Sequence, residues 1–199
     1  MYLTKIILSR KNYFDLRIKD DYSIHRIVYD LFAFPGCQRF LYVDKGYRDG
    51  FNTVLVLSPH EPKGQSDIRL ETKVVSPSFL LKGTYGFEIV LNPVKRNNST
   101  KKLEPIIGQL PLLNWFIQKC EKNGFSVDEK QLTAKTLNTQ VITGKQQDFP
   151  QNKAVFTGVL TVTNQELFEK AFFSGIGKSK AFGFGMLQLI PLKKESLSS

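Results

Sequence analysis

Hydrophobic periodicity changes along this chain in a fixed order, and it does so twice. Tyr2 to Ser9 alternates and is rich in β-branched residues, the pattern of a half-buried strand. Asp21 to Phe34 switches to helical spacing, with Ile24, Ile27, Val28, Leu31 and Phe32 forming one apolar stripe. Asp20 and Asp21 stand where carboxylates cap a helix, and Pro35-Gly36 ends it. Phe40 to Val43, Thr53 to Leu57 and Ile68 to Val75 return to strand composition. The first two of these are joined by the turn-rich DKGYRDGFN, and HEPKGQSD, before the third, carries no helical period.

The second half repeats the order. Tyr85 to Leu91 is a strand, and Asn92 to Ile107 is a basic, polar loop. Leu110 to Asn123 is a helix with Leu113, Phe116, Ile117 and Cys120 on one side and Gly124 at its end. Leu132 to Thr143 and Ala154 to Val162 flank GKQQDFPQN as a long hairpin. Thr163-Asn164-Gln165-Glu166 has the form of a capping box, opening a helix with Leu167, Phe168, Ala171 and Phe172. Phe184 to Leu192 closes the chain as a strand. Each half thus runs β-α-β-β-α-β, the first with its second helix shortened. This order predicts an α+β protein of two tandem ferredoxin-like (RRM-like) domains, residues 1–82 and 83–199. The length of 199 residues suits two such units.

Composition narrows the class. At 41% hydrophobic residues a core can be buried, so disorder is excluded as the main state. No run of 18 apolar residues exists, which predicts no membrane span, and the opening MYLTKIILSR reads as a first strand and not as a signal peptide. Cys37 and Cys120 form no CxxC pair, so a zinc ribbon is excluded, and two lone thiols fit a reducing cytoplasm. The net charge of +10 points to nucleic acid or an anionic membrane surface as partner.

Two segments carry candidate chemistry. At about 100° per residue, His25, Tyr29, Tyr22 and Arg26 fall on one face of the first helix, beside its apolar stripe. An imidazole placed there can give or take a proton, or it can be an ordinary surface histidine flanked by aromatics. The second segment is Gly175-Ile176-Gly177-Lys178-Ser179-Lys180-Ala181-Phe182-Gly183-Phe184-Gly185. Glycines let backbone approach a ligand and exposed N–H groups bind phosphate, but a tight connection explains the same residues. The segment follows a helix and precedes a strand, the reverse of a Walker loop or a dinucleotide fingerprint. No His and carboxylate cluster at ligand spacing exists, so neither a metal nor another cofactor is expected.

GIGKSKAFGFGMLQL resembles the C-terminal glycine-rich loop of the repeat-associated RNA-processing proteins of CRISPR systems, and DYSIHR is similar to the Tyr-x-x-His-Arg segment of the CasE family. MYLTKIILSR, LNPVKR at 91–96, PLLNWF and VFTGVLTV resemble CasE in the same order, so the likeness spans nearly the whole chain. Two departures lie in the loop: the family often has Pro where Lys178 stands and Leu-Leu-Ser where this chain has Met186-Leu187-Gln188.

The resemblance implies two ferredoxin-like domains and a metal-independent endoribonuclease. Such an enzyme cuts precursor CRISPR RNA beside a repeat hairpin and stays on the mature crRNA with the other Cascade subunits. It would act without a membrane or a small-molecule cofactor. It implies catalytic roles for His25, Tyr22 and Lys180. It implies RNA contacts from Arg26, Lys95, Arg96, Lys101, Lys102, Lys145 and Lys153, and from Gly175, Gly177, Lys178, Ser179, Gly183 and Gly185 in the loop. Two other readings stand beside it: a noncatalytic RNA-clamping subunit of a CRISPR complex, and a ferredoxin-like binding protein for an anionic ligand.

Overall fold

Strand β1 (Tyr2–Ser9) buries Thr4, Ile6 and Leu8 on one face, as its alternation demands. Where the strand ends, Ser9 and Asn12 cap each other: the Asn12 N–H donates to Ser9 Oγ at 3.2 Å and the Ser9 N–H donates to Asn12 Oδ1 at 2.9 Å. This reciprocal box opens a short helix, α1 (Arg10–Asp15). Helix α2 (Asp21–Phe32) follows, with Ile24, Ile27, Val28, Leu31 and Phe32 buried as their spacing predicts. The Asp20 carboxylate accepts the Ser23 N–H at 2.8 Å and the Ser23 hydroxyl at 2.7 Å, and these bonds hold its pKa below the ordinary carboxylate value. In this computed structural model the described residues are 1–32, 40–64, 67–137, 140–143 and 148–192.

Strands β2 (Leu41–Arg48) and β3 (Phe51–Ser58) form a hairpin longer than expected. Part of DKGYRDGFN belongs to the strands: the ladder shifts register between Asp44 and Tyr47, Gly46 takes φ 75°, and Asp49-Gly50 makes the turn. β4 (Arg69–Val74) completes an antiparallel sheet of order β2-β3-β1-β4, the ferredoxin-like order. No helix occurs among the described residues between β3 and β4.

After a 3₁₀ turn at Pro77–Leu81, β5 (Thr84–Leu91) begins the second unit. The segment expected as a loop is instead a small hairpin, β6 (Val94–Arg96) with β7 (Leu103–Pro105). Helix α3 (Gln109–Lys122), β8 (Phe125–Val127) and β9 (Thr133–Thr136) follow. β10 (Gln140–Thr143) pairs with β11 (Asp148–Gln151), and β12 (Ala154–Val162) takes both β8 and β9 on one edge. Helix α4 (Gln165–Ser174) and β13 (Leu187–Pro191) end the fold, giving the order β13-β5-β12-β8. Both sheets therefore share the ferredoxin-like arrangement, and the protein is an α+β tandem of it.

Three local expectations are corrected. Asn164, not Thr163, caps α4, its Oδ1 accepting the Leu167 N–H at 3.0 Å, while the N–H groups of Thr163 and Asn164 both donate to Gly124 O and so hold Thr163 outside the helix. Helix α3 buries Phe116 and Cys120 as expected, but Leu112 joins them as the third buried residue, while Leu113 and Ile117 are only partly buried against the same cluster. Phe184, Gly185 and Met186 precede β13, although Phe184 and Met186 are buried.

Two apolar clusters divide the interior. One lies between α2 and the inner face of the first sheet, with Ile6, Leu8, Val54 and Val56 at its centre. The larger fills the second unit and takes in Leu41, Val43 and Leu57 from the outer face of the first sheet. Within it Phe116 stacks on Phe156 at 4.4 Å between ring centroids. Each such side chain contributes about 1.5–3 kcal/mol by burial. Lys45 of β2 bridges the units, pairing with Glu88 and donating to Gln188 Oε1 at 2.9 Å. Cys120 is a buried free thiol whose pKa burial pushes up, while Cys37 lies outside the described residues. No helix among the described residues is long and apolar enough to cross a membrane.

Candidate active site

The expected histidine lies where α2 meets the end of the glycine-rich segment. His25 projects from α2 between Tyr22 and Tyr29, with ring centroids at 6.0 and 6.2 Å, and a third ring, Tyr42 of β2, lies at 6.4 Å. Phe182 closes the group at 5.5 Å. The imidazole is half-buried, and its Nδ1 is buried with no hydrogen-bond partner. Tyr42 is 2% exposed; burial, with Asp21 and Asp44 nearby, raises its pKa, so its hydroxyl stays protonated.

The glycine-rich segment reaches this helix through unusual backbone. A Cβ on Gly185, at φ 85°, would lie 2.4 Å from the Ile176 carbonyl oxygen. That closeness lets the Ile176 N–H donate to Gly185 O at 2.9 Å while the Gly185 N–H donates to Val90 O at 2.8 Å. A 3₁₀ turn, Lys180–Phe182, then packs on both α2 and β2. Gly183, at φ 83°, follows the turn, and a Cβ there would lie 3.1 Å from the Tyr42 ring. Lys180 Nζ donates to Ser174 O at 2.7 Å. The N–H groups of Gly175 and Gly183 also donate within the chain. Gly177 and Lys178 are exposed, Ser179 is half-buried in the left-handed region, and these three lie at the outer rim of the segment.

A polar junction missing from the sequence reading links the segment to the basic hairpin. Buried Asn92, at the end of β5, donates to Ser179 Oγ at 3.4 Å and accepts the Asn152 N–H at 3.1 Å. Buried Asn152 in turn donates to Ile106 O at 3.1 Å, beyond β7. Lys95, Arg96, Lys101 and Lys102 are exposed on the hairpin above, where Arg96 Nε donates to Lys101 O at 3.2 Å. Lys153 follows Asn152 and is half-buried; its charge acts on Asp44 of β2, whose own carboxyl is pushed up by burial. Lys145 lies outside the described residues. Asn92 and Asn152 each break or precede an apolar strand, a signal that polar strand ends carry without naming their partners.

Tyr22, His25 and the turn holding Lys180 are thus brought together, with Arg26 exposed on the next helix position. The basic hairpin is a separate surface joined to them through Asn92. Among the described residues no group of three or more His, Cys, Asp or Glu side chains is placed to hold a metal ion.

Comparison with known proteins gives the same shape. A family model described as CRISPR associated protein matches residues 1–191. The chain is similar to Thermus thermophilus Cse3 bound to an RNA representing a pre-cleavage complex, with 24% identity, TM-score 0.78, and 96% of this chain and 98% of that one covered. It is also similar to Cas6e from Escherichia coli K-12, with 24% identity, TM-score 0.74, and 96% and 100% covered. A chain of a CRISPR RNA-guided surveillance complex in a pre-nicking state matches at 19% identity and TM-score 0.69, with 96% and 100% covered. No curated protein matches the chain.

Proposed function

The chain belongs to the CRISPR-associated protein family, and from that premise we propose that it is an endoribonuclease cutting CRISPR repeat RNA beside a hairpin. The observation that carries this reading is the half-buried His25, ringed by Tyr22, Tyr29, Tyr42 and Phe182 and facing the turn that holds Lys180. The His25 Nδ1 is buried without a hydrogen-bond partner, and the proton transfer is assigned to Nε2.

A histidine, a tyrosine and a lysine suit cleavage in which the RNA supplies its own nucleophile. The ribose 2′-oxygen attacks the adjacent phosphorus as its proton passes to a base, the P–O5′ bond breaks, and O5′ takes a proton from an acid. The products are a 2′,3′-cyclic phosphate and a 5′-OH. His25 carries one of the two proton transfers, worth about 10²–10⁴-fold in rate. Tyr22 positions the scissile group, and Lys180 offsets the charge that builds on phosphorus oxygens. This chemistry uses no metal ion.

The hairpin of the RNA rests on Lys95, Arg96, Lys101 and Lys102, with Arg26 and Lys153 flanking the centre, and Lys145 is assigned a contact with the same RNA. Recognition of the duplex is by shape, phosphates and 2′-hydroxyls, because its major groove is too narrow to read. In the glycine-rich segment Gly177, Lys178 and Ser179 offer backbone to phosphate, while Gly175, Gly183 and Gly185 shape the surface from below. After the cut the protein stays on its product as a subunit of a Cascade-type surveillance complex. The functional division into 1–82, with the histidine, and 83–199, with the RNA grip, belongs to the same proposal.

The test is incubation with the repeat RNA in EDTA, followed by analysis of the ends. The expected result is cutting that persists and leaves a cyclic phosphate and a 5′-OH. Replacing the ribose 5′ to the cut by 2′-deoxyribose is expected to stop cleavage and spare binding. Loss of cutting in EDTA, or efficient cutting of the deoxy RNA, would overturn the mechanism.

A further inference from the structure

On one side of α2 the aromatic rings form a ladder: Tyr22, His25 and Tyr29, with interplanar angles of 35° and 39° between neighbours. The two outer rings are exposed, Tyr22 at 59% and Tyr29 at 54%, although the helix already buries its five apolar side chains elsewhere. Holding the fold together therefore does not require either tyrosine. His25, between them, is the one ring of the three that is half-buried.

We propose that Tyr29 is a base-stacking residue, and that with Tyr22 it brackets His25 so that the nucleotides on either side of the scissile phosphate lie on the two rings, out of the RNA helix. The inference rests on the proposed cutting centre and adds how the RNA must be shaped there. In an A-form strand the 2′-oxygen lies to the side of the P–O5′ bond and not opposite it, so in-line attack needs the flanking nucleotides turned away from helical geometry. Unstacked bases need new partners, and aromatic faces are what single-stranded RNA stacks on. Phe182, half-buried and 5.5 Å from the His25 ring, offers a further aromatic surface beside it, while buried Tyr42 supports the imidazole from within.

Charge argues for stacking over a purely phosphate grip here. Helix α2 carries Arg26 but also Asp21 and Asp30, so its own formal charge is 1 − 2 = −1 with His25 neutral. The ring contacts on this face then add affinity that is insensitive to salt, whereas Arg26 and the basic hairpin supply the salt-dependent part.

The experiment uses the full chain with a repeat RNA made uncleavable by one 2′-deoxyribose, and the cleavable RNA for rates. Tyr29→Ala is expected to weaken binding by roughly five- to 150-fold, the range for loss of one base–aromatic stack. The slope of log K against log[salt] is expected to stay that of wild type, and Tyr29→Phe to restore both affinity and rate. On RNA whose flanking base is replaced by an abasic site, Tyr29→Ala is expected to add no further loss. Thermal unfolding of each variant is expected to match wild type, since the ring is more than half exposed. Unchanged affinity of Tyr29→Ala on intact RNA would overturn the proposal, as would a Phe variant as damaged as Ala or an undiminished Ala effect on abasic RNA. An effect appearing only when other protein subunits are present would overturn it too. Failure of wild type to bind or cut the repeat RNA is a separate result, and it would strike the proposed function itself.

Discussion

Two segments of the second unit face the same proposed RNA, yet they are built on opposite terms. The glycine-rich segment is packed: Gly175 lies against Leu41, Gly183 against Tyr42 and Gly185 against Ile176, each too close for a side chain to fit without movement. The β6–β7 hairpin extends its charge: Lys95, Arg96, Lys101 and Lys102 are all exposed, over a tip closed by hydrogen bonds of its own, Asn97 Oδ1 accepting the Ser99 and Thr100 N–H groups at 2.8 and 3.0 Å and Arg96 Nε donating to Lys101 O. Geometry is fixed where side chains are removed, and charge is offered where they are extended. On this account the packed segment serves the chemistry, by seating Phe182 beside His25 and the turn that holds Lys180 against α2, and the open hairpin serves affinity.

The largest effect that would break this contrast comes from Gly185→Val. A β-branched residue at φ 85°, with its Cβ 2.4 Å from the Ile176 carbonyl, is expected to cost about 3 kcal/mol or more, seen as a large fall in the unfolding midpoint. A well-folded, fully active Gly185→Val would show that the packing is incidental.

Next in size is Lys95→Ala combined with Arg96→Ala. Loss of two phosphate contacts is expected to flatten the salt slope by about 1.4–1.8 and to weaken binding, with single-turnover cutting at saturating protein unchanged. A change in the saturated rate would move the hairpin into the catalytic part.

A smaller effect concerns pH. Burial raises the Asp44 carboxyl above its ordinary value, so the folded state holds that proton more tightly than the unfolded chain does. Its stabilising contribution is full below the unfolded pKa, about 3.9, and is lost as pH rises through the folded value. Asp44→Asn is therefore expected to raise stability relative to wild type at neutral pH, with the difference shrinking as pH falls. The measurement is unfolding of both proteins across that range.

The smallest effect sharpens the contrast within the glycine-rich segment itself. Lys178 is exposed on the rim, and Lys178→Ala is expected to change folding and cutting little, and affinity by no more than one phosphate contact. Gly183→Val, beneath the same rim, is expected to do more damage than this, because its side chain would press on Tyr42.

What the chain revealed in advance follows from the range of each interaction. The α2 stripe is set by residues three and four apart, and it was legible to the residue. The α1 cap, with Ser9 and Asn12 three apart, is as local, but six residues carry no apolar period to announce it. The β6–β7 hairpin hid because Val94–Arg96 and Leu103–Pro105 are three residues each, too short to show an alternation. The site divides the same way. His25 beside Tyr22 and Tyr29 could be projected from helical spacing, whereas Tyr42, Phe182, Asn92 and Asn152 join it through contacts across the fold that spacing does not encode. The glycines could be read as special, but whether they admit a ligand or neighbouring chain depends on what packs there.

The separation of chemistry from affinity is tested most directly by one paired measurement on His25→Ala: single-turnover cleavage rate and Kd on the same repeat RNA. His25 lies beside the buried stripe of α2 and not within it, so the helix should survive its loss. The expected result is a rate lower by about 10²-fold or more, with Kd within twofold of wild type. A variant that cuts within threefold of wild type would contradict the account.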